Sequence, residues 1–224
     1  RVEKTDEYRD WIDNLKDVVG RARILMRVDR LVHGNPGTHR SLTDGVSELK
    51  VDAGPGYRVY YTIRGDRLLL LLLGGDKSSQ SKDIAKAIRL ARDYEGERHG
   101  YVTSQEGPEG QDLGDDVAEH LRTPEEMAAY LDAWLEEAPE DISGIARALG
   151  DIARAKGMSL VAKEAGLSRE SLYRALSADG NPSFATVLKV AKALESACMH
   201  SRHSHQVTPN MSVNRTRYSK APWP

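Results

Sequence analysis

The stretch from Met158 to Ser177 constrains the fold most, because two short apolar runs at helical spacing flank Gly166. Val161, Ala162 and Ala165 precede that glycine and Leu167, Leu172 and Leu176 follow it, so a helix, a tight turn and a second helix are expected. Two helices that meet closely at a fixed angle need a small residue in the first and a residue free to take positive φ between them. Ala162 and Gly166 meet both needs. Turning the apolar positions inward leaves Ser168, Arg169, Glu170, Ser171, Tyr173 and Arg174 around the exposed start of the second helix. Such groups reach base edges and phosphates from a major groove, so DNA binding is expected of them. An ordinary helical hairpin satisfies the same spacing.

Two modules suit a chain of 224 residues better than one. Charge is segregated along it: residues 1–94 hold 18 Lys/Arg against 14 Asp/Glu, residues 95–150 hold 3 against 15, and residues 151–224 hold 11 against 5. Basic ends suit nucleic acid, and an acidic middle suits contact with a basic face of the same molecule. Each run taken alone reads equally well as a solvated surface. The longest purely apolar run, Leu68 to Leu73, is too short to cross a membrane and fits a strand buried on both faces. Cys198 is the single cysteine, and the start lacks a secretory pattern, so a cytoplasmic protein without disulfides is expected. Beginning at Arg1 rather than Met, the chain is expected to be trimmed at its start.

The first module reads as helix, helix, three strands and a closing helix. Tyr8, Trp11, Ile12 and Leu15 share one helical face behind Thr5 as an N-cap, and Ile24, Leu25, Val28, Leu31 and Val32 form a second stripe. Strands are expected over 46–51, 57–63 and 68–73, the last two joined at Arg64-Gly-Asp66, with a helix over about 79–94. The first strand is nearly missing, since little precedes the first helix. Residues 95–115 are rich in Gly, Glu and Gln and read as a flexible linker. Beyond it, Thr123-Pro-Glu-Glu126 is a capping box opening a helix with Met127, Tyr130, Leu131, Trp134 and Leu135 on one face. Helices over 142–156, 160–165, 169–176 and 184–194 complete the second module, and residues 198–224 are expected to be disordered.

A ribonuclease working without metal must activate the 2′-hydroxyl, stabilise extra charge on phosphorus and protonate the leaving 5′-oxygen. Strand alternation puts Arg58 and Tyr60 on one face, with Tyr57, Val59 and Tyr61 on the other, and Glu48 and Lys50 share a face of their own strand. If these faces align, Lys50 and Arg58 converge, with Lys77 just past the next strand. The plainer reading makes them surface charges opposite a packed face.

The segment Ala148-Leu-Gly-Asp-Ile-Ala-Arg-Ala-Lys-Gly-Met-Ser-Leu-Val-Ala-Lys-Glu-Ala-Gly-Leu-Ser-Arg-Glu-Ser-Leu-Tyr-Arg-Ala-Leu-Ser177, with Gly180-Asn-Pro-Ser-Phe184, closely resembles the antidotes of HigA-like addiction modules, in the Cro/repressor helix-turn-helix class. The resemblance spans residues 116–197 and implies a five-helix repressor that dimerises on a two-fold operator. Gly54-Pro-Gly-Tyr-Arg-Val-Tyr-Tyr61, Gly74-Gly-Asp-Lys-Ser-Ser-Gln80 and Lys82-Asp-Ile-Ala85 resemble the HigB-type branch of the RelE/ParE toxins, over residues 2–94. This implies an α+β toxin domain that cuts messenger RNA on the ribosome. By that likeness Arg58 takes the place of the phosphate-binding arginine, with Lys50 and Lys77 as further catalytic residues and Arg40 and Tyr60 as RNA contacts. Glu48 stands where many relatives carry a second basic residue and Asp83 near where some carry a catalytic tyrosine, so the general acid and base stay open.

The chain is therefore expected to hold an α+β toxin domain (1–94), a linker (95–115), an all-α antitoxin domain (116–197) and a tail (198–224). The partners expected are messenger RNA on the ribosome, operator DNA, a second copy through the antitoxin domain, and the toxin–antitoxin contact itself, with residues 116–141 helping to silence the toxin. No cofactor, metal or membrane is expected. A regulator with a silent first domain and a gyrase-directed toxin are the alternatives. His200, His203 and His205 suit a metal poorly in a tail without a fold, and Asn210-Met-Ser212 and Asn214-Arg-Thr216 are chance acceptor patterns.

Overall fold

In the computed structural model, which describes residues 2–65, 68–100, 113–177, 180 and 182–203, one sheet organises the first half. Its strands are β1 (Val2–Lys4), β2 (His39–Ser41), β3 (Val46–Val51), β4 (Tyr57–Arg64) and β5 (Leu68–Asp76), lying side by side as β1-β5-β4-β3-β2. β1 runs parallel to β5 and the other neighbours are antiparallel. The first strand is thus present, since Val2 to Lys4 suffice to add an edge, and the Thr5 amide continues the ladder onto the Leu71 carbonyl. β2, whose three residues are exposed, has no apolar pattern and was not expected.

Two helices cover one face of the sheet. α1 (Asp6–Asn14) is capped by Thr5, which accepts from the Tyr8 amide, and α2 (Val18–Val32) by Asp17, which accepts from the Gly20 amide. Leu49, Val51, Tyr57, Val59, Tyr61, Leu69 and Leu71 point into this layer. The opposite face carries Val46, Tyr60, Leu70, Leu72 and Leu73 against Ala87 and Ala91 of α3 (Gln80–Gly100). Each fully buried leucine contributes about 1.5–3 kcal/mol, so a run of leucines feeding both layers accounts for the order of the sheet. A bulge adjusts the register. Tyr60 pairs with Leu73 and Tyr61 with Leu71, leaving Leu72 as the extra residue.

Helices alone make the second half: α4 (Leu113–His120), α5 (Pro124–Glu137), α6 (Ile142–Lys156), α7 (Met158–Ala165), α8 (Arg169–Ala175) and α9 (Phe184–His203). The capping box is complete at α5: Thr123 accepts from the Glu126 amide and the Glu126 carboxylate accepts from the Thr123 amide. Of the expected linker, α3 continues to Gly100 and α4 begins at Leu113, while 101–112 lie outside the described residues. α9 likewise runs past Cys198, and the expected disorder of 204–224, with His205, Asn210 and Asn214, falls outside the described residues.

α2 joins the halves. Ala22, Ile24, Leu25, Met26, Val28 and Leu31 are buried on it together with Arg21, Arg27 and Asp29, because the sheet covers one side and α5 the other. One apolar cluster runs from Tyr8 and Ile12 through α2 to Tyr130, Trp134 and Ile152. Among the described residues no helix is long and apolar enough to cross a membrane, and no cluster of His, Cys, Asp and Glu is placed to hold a metal.

Candidate functional site

The register of β3 against β4 sets Lys50 opposite Arg58 and Glu48 opposite Tyr60, and the next ladder sets Arg58 opposite Gly75. Since residues two apart share a face, Glu48, Lys50, Arg58 and Tyr60 all lie on the side covered by α3. Arg58 is held there. Its side chain is 9% exposed and Nη1 donates to Glu48 Oε1 at 2.8 Å, while the Glu48 carboxylate is 5% exposed. Arg40 of β2 donates to Glu48 Oε2 at 3.0 Å, and the Gln80 amide at the start of α3 donates to Oε2 at 3.0 Å and Oε1 at 3.3 Å. One carboxylate therefore gathers donors from β2, β4 and α3. Arg58 Nε is buried with no hydrogen-bond partner, an omission that costs roughly 1–3 kcal/mol.

Lys50 pairs with Asp52 at 2.7 Å and stays partly exposed, and Lys77 is exposed in the turn between β5 and α3. Strand ends bring these lysines to the same edge as Arg58, since Val51 faces Tyr57 and Tyr57 faces Asp76. The Gly74-Gly75 pair lets other chains approach the strand on both sides. A Cβ at Gly74 would strike the Trp11 ring and one at Gly75 the Asp83 carboxylate, which itself accepts from Ser79. Tyr60 departs from its expected place. It is fully buried beneath α3, so RNA cannot touch it while that helix is seated. Burial, then the charges of Glu48 and Asp83, push its hydroxyl far above the usual tyrosine value, and the hydroxyl has no hydrogen-bond partner. Tyr57 is pushed up to about 12, by burial and then by its hydrogen bond to Asp17. Neither phenol titrates near neutrality.

The residues of the second candidate site lie on α7, the turn after it and α8. Gly166 takes φ 65° between α7 and α8, and Leu172 and Leu176 are buried. Ser168, Arg169, Glu170, Ser171, Tyr173 and Arg174 are all exposed. Ser168 accepts from the Ser171 amide at 3.0 Å and donates to the Ser171 hydroxyl at 2.8 Å, so this pair fixes the start of α8. The Arg169 guanidinium stands 5.4 Å from the Tyr173 ring centre, leaving its charge in solvent.

A third cluster, which sequence reasoning missed, joins the halves. Arg147 of α6 donates through Nε at 3.1 Å and Nη2 at 2.9 Å to Asp29 of α2, and its guanidinium stacks 5.5 Å from Trp134. Both side chains of the pair are nearly buried. Around them, Arg21 pairs with Glu126, Arg23 with Glu136 at 2.7 Å and Glu137 at 3.6 Å, and Arg122 with Asp13 at 2.8 Å. Asp151 accepts from the Tyr130 hydroxyl at 3.0 Å and pairs with Arg154. Burial and then the Asp29 charge push Asp151 up to about 8, against the pull of Arg154. The signal was an Asp and an Arg placed on otherwise apolar helix stripes. The pairs that cross between the halves fall on α1 and α2, the layer across the sheet from Arg58.

Residues 10–94 match the family described as phage-derived protein Gp49-like, and residues 114–201 match the family described as probable addiction module antidote protein. One uncharacterized protein of Haemophilus influenzae is 60% identical over 79 residues, covering 35% of this chain and 79% of that protein. Another from the same organism is 42% identical over 93 residues, covering 42% of this chain and 94% of that protein. No solved structure matches the chain significantly. The chain belongs to both families, a Gp49-like toxin-type domain followed by an antidote-type domain, which supports a toxin–antitoxin system.

Proposed function

We propose that this polypeptide joins a ribosome-dependent messenger-RNA endonuclease to the operator-binding antidote that silences it. The observation that carries the reading is the buried Asp29–Arg147 pair, which ties the antidote-type half to a toxin-type half whose sheet holds Arg58 beside Lys50. In the cleavage step the Arg58 guanidinium stabilises charge gathering on phosphorus, a permanent cation in a poorly hydrated place where its field is strong. Lys50 and Lys77 steer the backbone from the exposed edge. No cofactor enters the reading.

Repression rests on α8, whose exposed Arg169, Glu170, Tyr173 and Arg174 suit a major groove and whose two-fold operator calls for a second copy. Silencing rests on the residues of α5 that hold Arg21 and Arg23, and on the bulk that helix adds beside α2. Because that contact lies across the sheet from Arg58, it works without covering the guanidinium.

The test is a protease site at Gly107 combined with Arg147→Ala, so that the halves are both cut and undocked. The expected result is fresh cleavage of translated transcripts, absent when Arg58→Ala is added. Confirmed separation without cleavage overturns the nuclease. One observation favours a second reading, a DNA-binding regulator with a silent first half: Glu48 already neutralises Arg58. Intact operator binding alongside uncut transcripts decides for that regulator.

A further inference from the structure

The Glu48 carboxylate makes the hydrogen bonds that the two free oxygens of a phosphodiester would make. Both oxygens accept, one from Arg58 and Gln80 and the other from Arg40 and Gln80. A phosphodiester likewise offers two oxygens sharing one negative charge, and arginine forks suit either group. The seat is also incompletely satisfied. Arg58, nine-tenths buried, keeps Nε without a partner. A buried donor without an acceptor calls for a reason, and a ligand oxygen supplies one. The outer wall is weak: β2 is three exposed residues long, and Arg40 is 60% exposed.

We propose that Arg40, Arg58 and Gln80 form an oxyanion seat for one phosphodiester group of single-stranded RNA, and that Glu48 is the chain's own occupant of that seat. The inference rests on the nuclease reading and adds a threshold to it: RNA binds at Arg58 only by displacing the internal carboxylate. Approach of a phosphate draws the exposed Arg40 away first, which removes one donor from Glu48. The carboxylate then turns outward as the phosphate takes its place against Arg58 and Gln80.

The test uses the full chain and a single-stranded RNA oligonucleotide with 2′-O-methyl sugars, which binds but cannot be cut at its blocked 2′-oxygens. Glu48→Gln keeps the shape and removes the charge, and binding should tighten about tenfold, the scale of one charge-assisted hydrogen bond. Adding Arg58→Ala should erase the gain. Unchanged binding in Glu48→Gln overturns the seat, as does an equal gain in Asp52→Asn, which lowers negative charge on the same edge. Should Glu48→Gln fail to fold, Glu48→Asp keeps the charge but shortens its reach to the seat by one methylene, and binding no tighter than in the unaltered chain overturns the idea. The two readings separate. A gain without cleavage by the released domain keeps the seat and sinks the nuclease; cleavage without a gain does the reverse.

Discussion

Arg58 and Arg169 are both arginines expected to meet nucleic acid, and the fold treats them in opposite ways. Arg58 sits near the start of β4 with its guanidinium buried against Glu48, whereas Arg169 opens a short helix with its charge in water over the Tyr173 ring. The contrast fits the task proposed for each. Stabilising a developing charge needs a cation already fixed and poorly hydrated, since reorganisation during reaction costs rate. Reading a base sequence needs side chains that reach outward from a rigid helix, and fixed backbone with free tips supplies that. Arg147 extends the buried end of the series, with both contacting nitrogens committed to one carboxylate in the seam between the halves.

The comparison predicts effects graded by how firmly each charge is held. Arg147→Ala should be the largest, about 3–5 kcal/mol of docking, because Asp29 is left buried with only the His33 ring beside its carboxylate. Hydrogen exchange along α2 and α5 reads it, and unchanged protection breaks the series at its strongest point. Arg58→Ala should lower transcript cleavage by the released first half about 10²–10³-fold with operator affinity unchanged. Arg169→Ala should do the converse, costing about 1–3 kcal/mol at the operator if it pairs with a guanine, with cleavage untouched. Equal losses in both assays from either change would show the two faces to be coupled.

Asp151 carries the comparison over to an acid. Its folded pKa of about 8 lies above the unfolded value, so its contribution is full below about pH 4 and is lost as pH rises toward 8. Stability should fall across that window, by at most about 1.4 kcal/mol per pH unit, and level off above it. Denaturant titrations at several pH values check the slope, which Asp151→Asn should remove. A flat profile in the unaltered chain would show that Arg154 keeps the carboxylate ionised.

Local features were legible in the sequence because they depend on neighbours along the chain. Thr123 and Glu126, Gly166, the Thr5 cap and the two faces of β4 follow from spacing alone. What depended on pairing across space was not. Gln80 meets Glu48 only once the register of β3 and the start of α3 are set, and Arg147 meets Asp29 across 118 positions of sequence. Tyr60 shows the limit from the other side: alternation placed it on the face of Arg58, yet it could not tell that α3 closes over it. β2 escaped notice because three exposed residues held by backbone bonds and the Arg40–Glu48 pair leave no apolar imprint.

A helix buried over most of its length has a consequence for inheritance. Between Gly20 and Leu31, α2 answers to the sheet on one flank and to α5 on the other, so a change tolerated by one neighbour is still judged by the second. Drift in either half must be matched in its mate, and an antidote borrowed from a distant lineage meets a surface cut to another pattern. Fidelity between the two is thus written into the middle of the molecule, where mutation has least room.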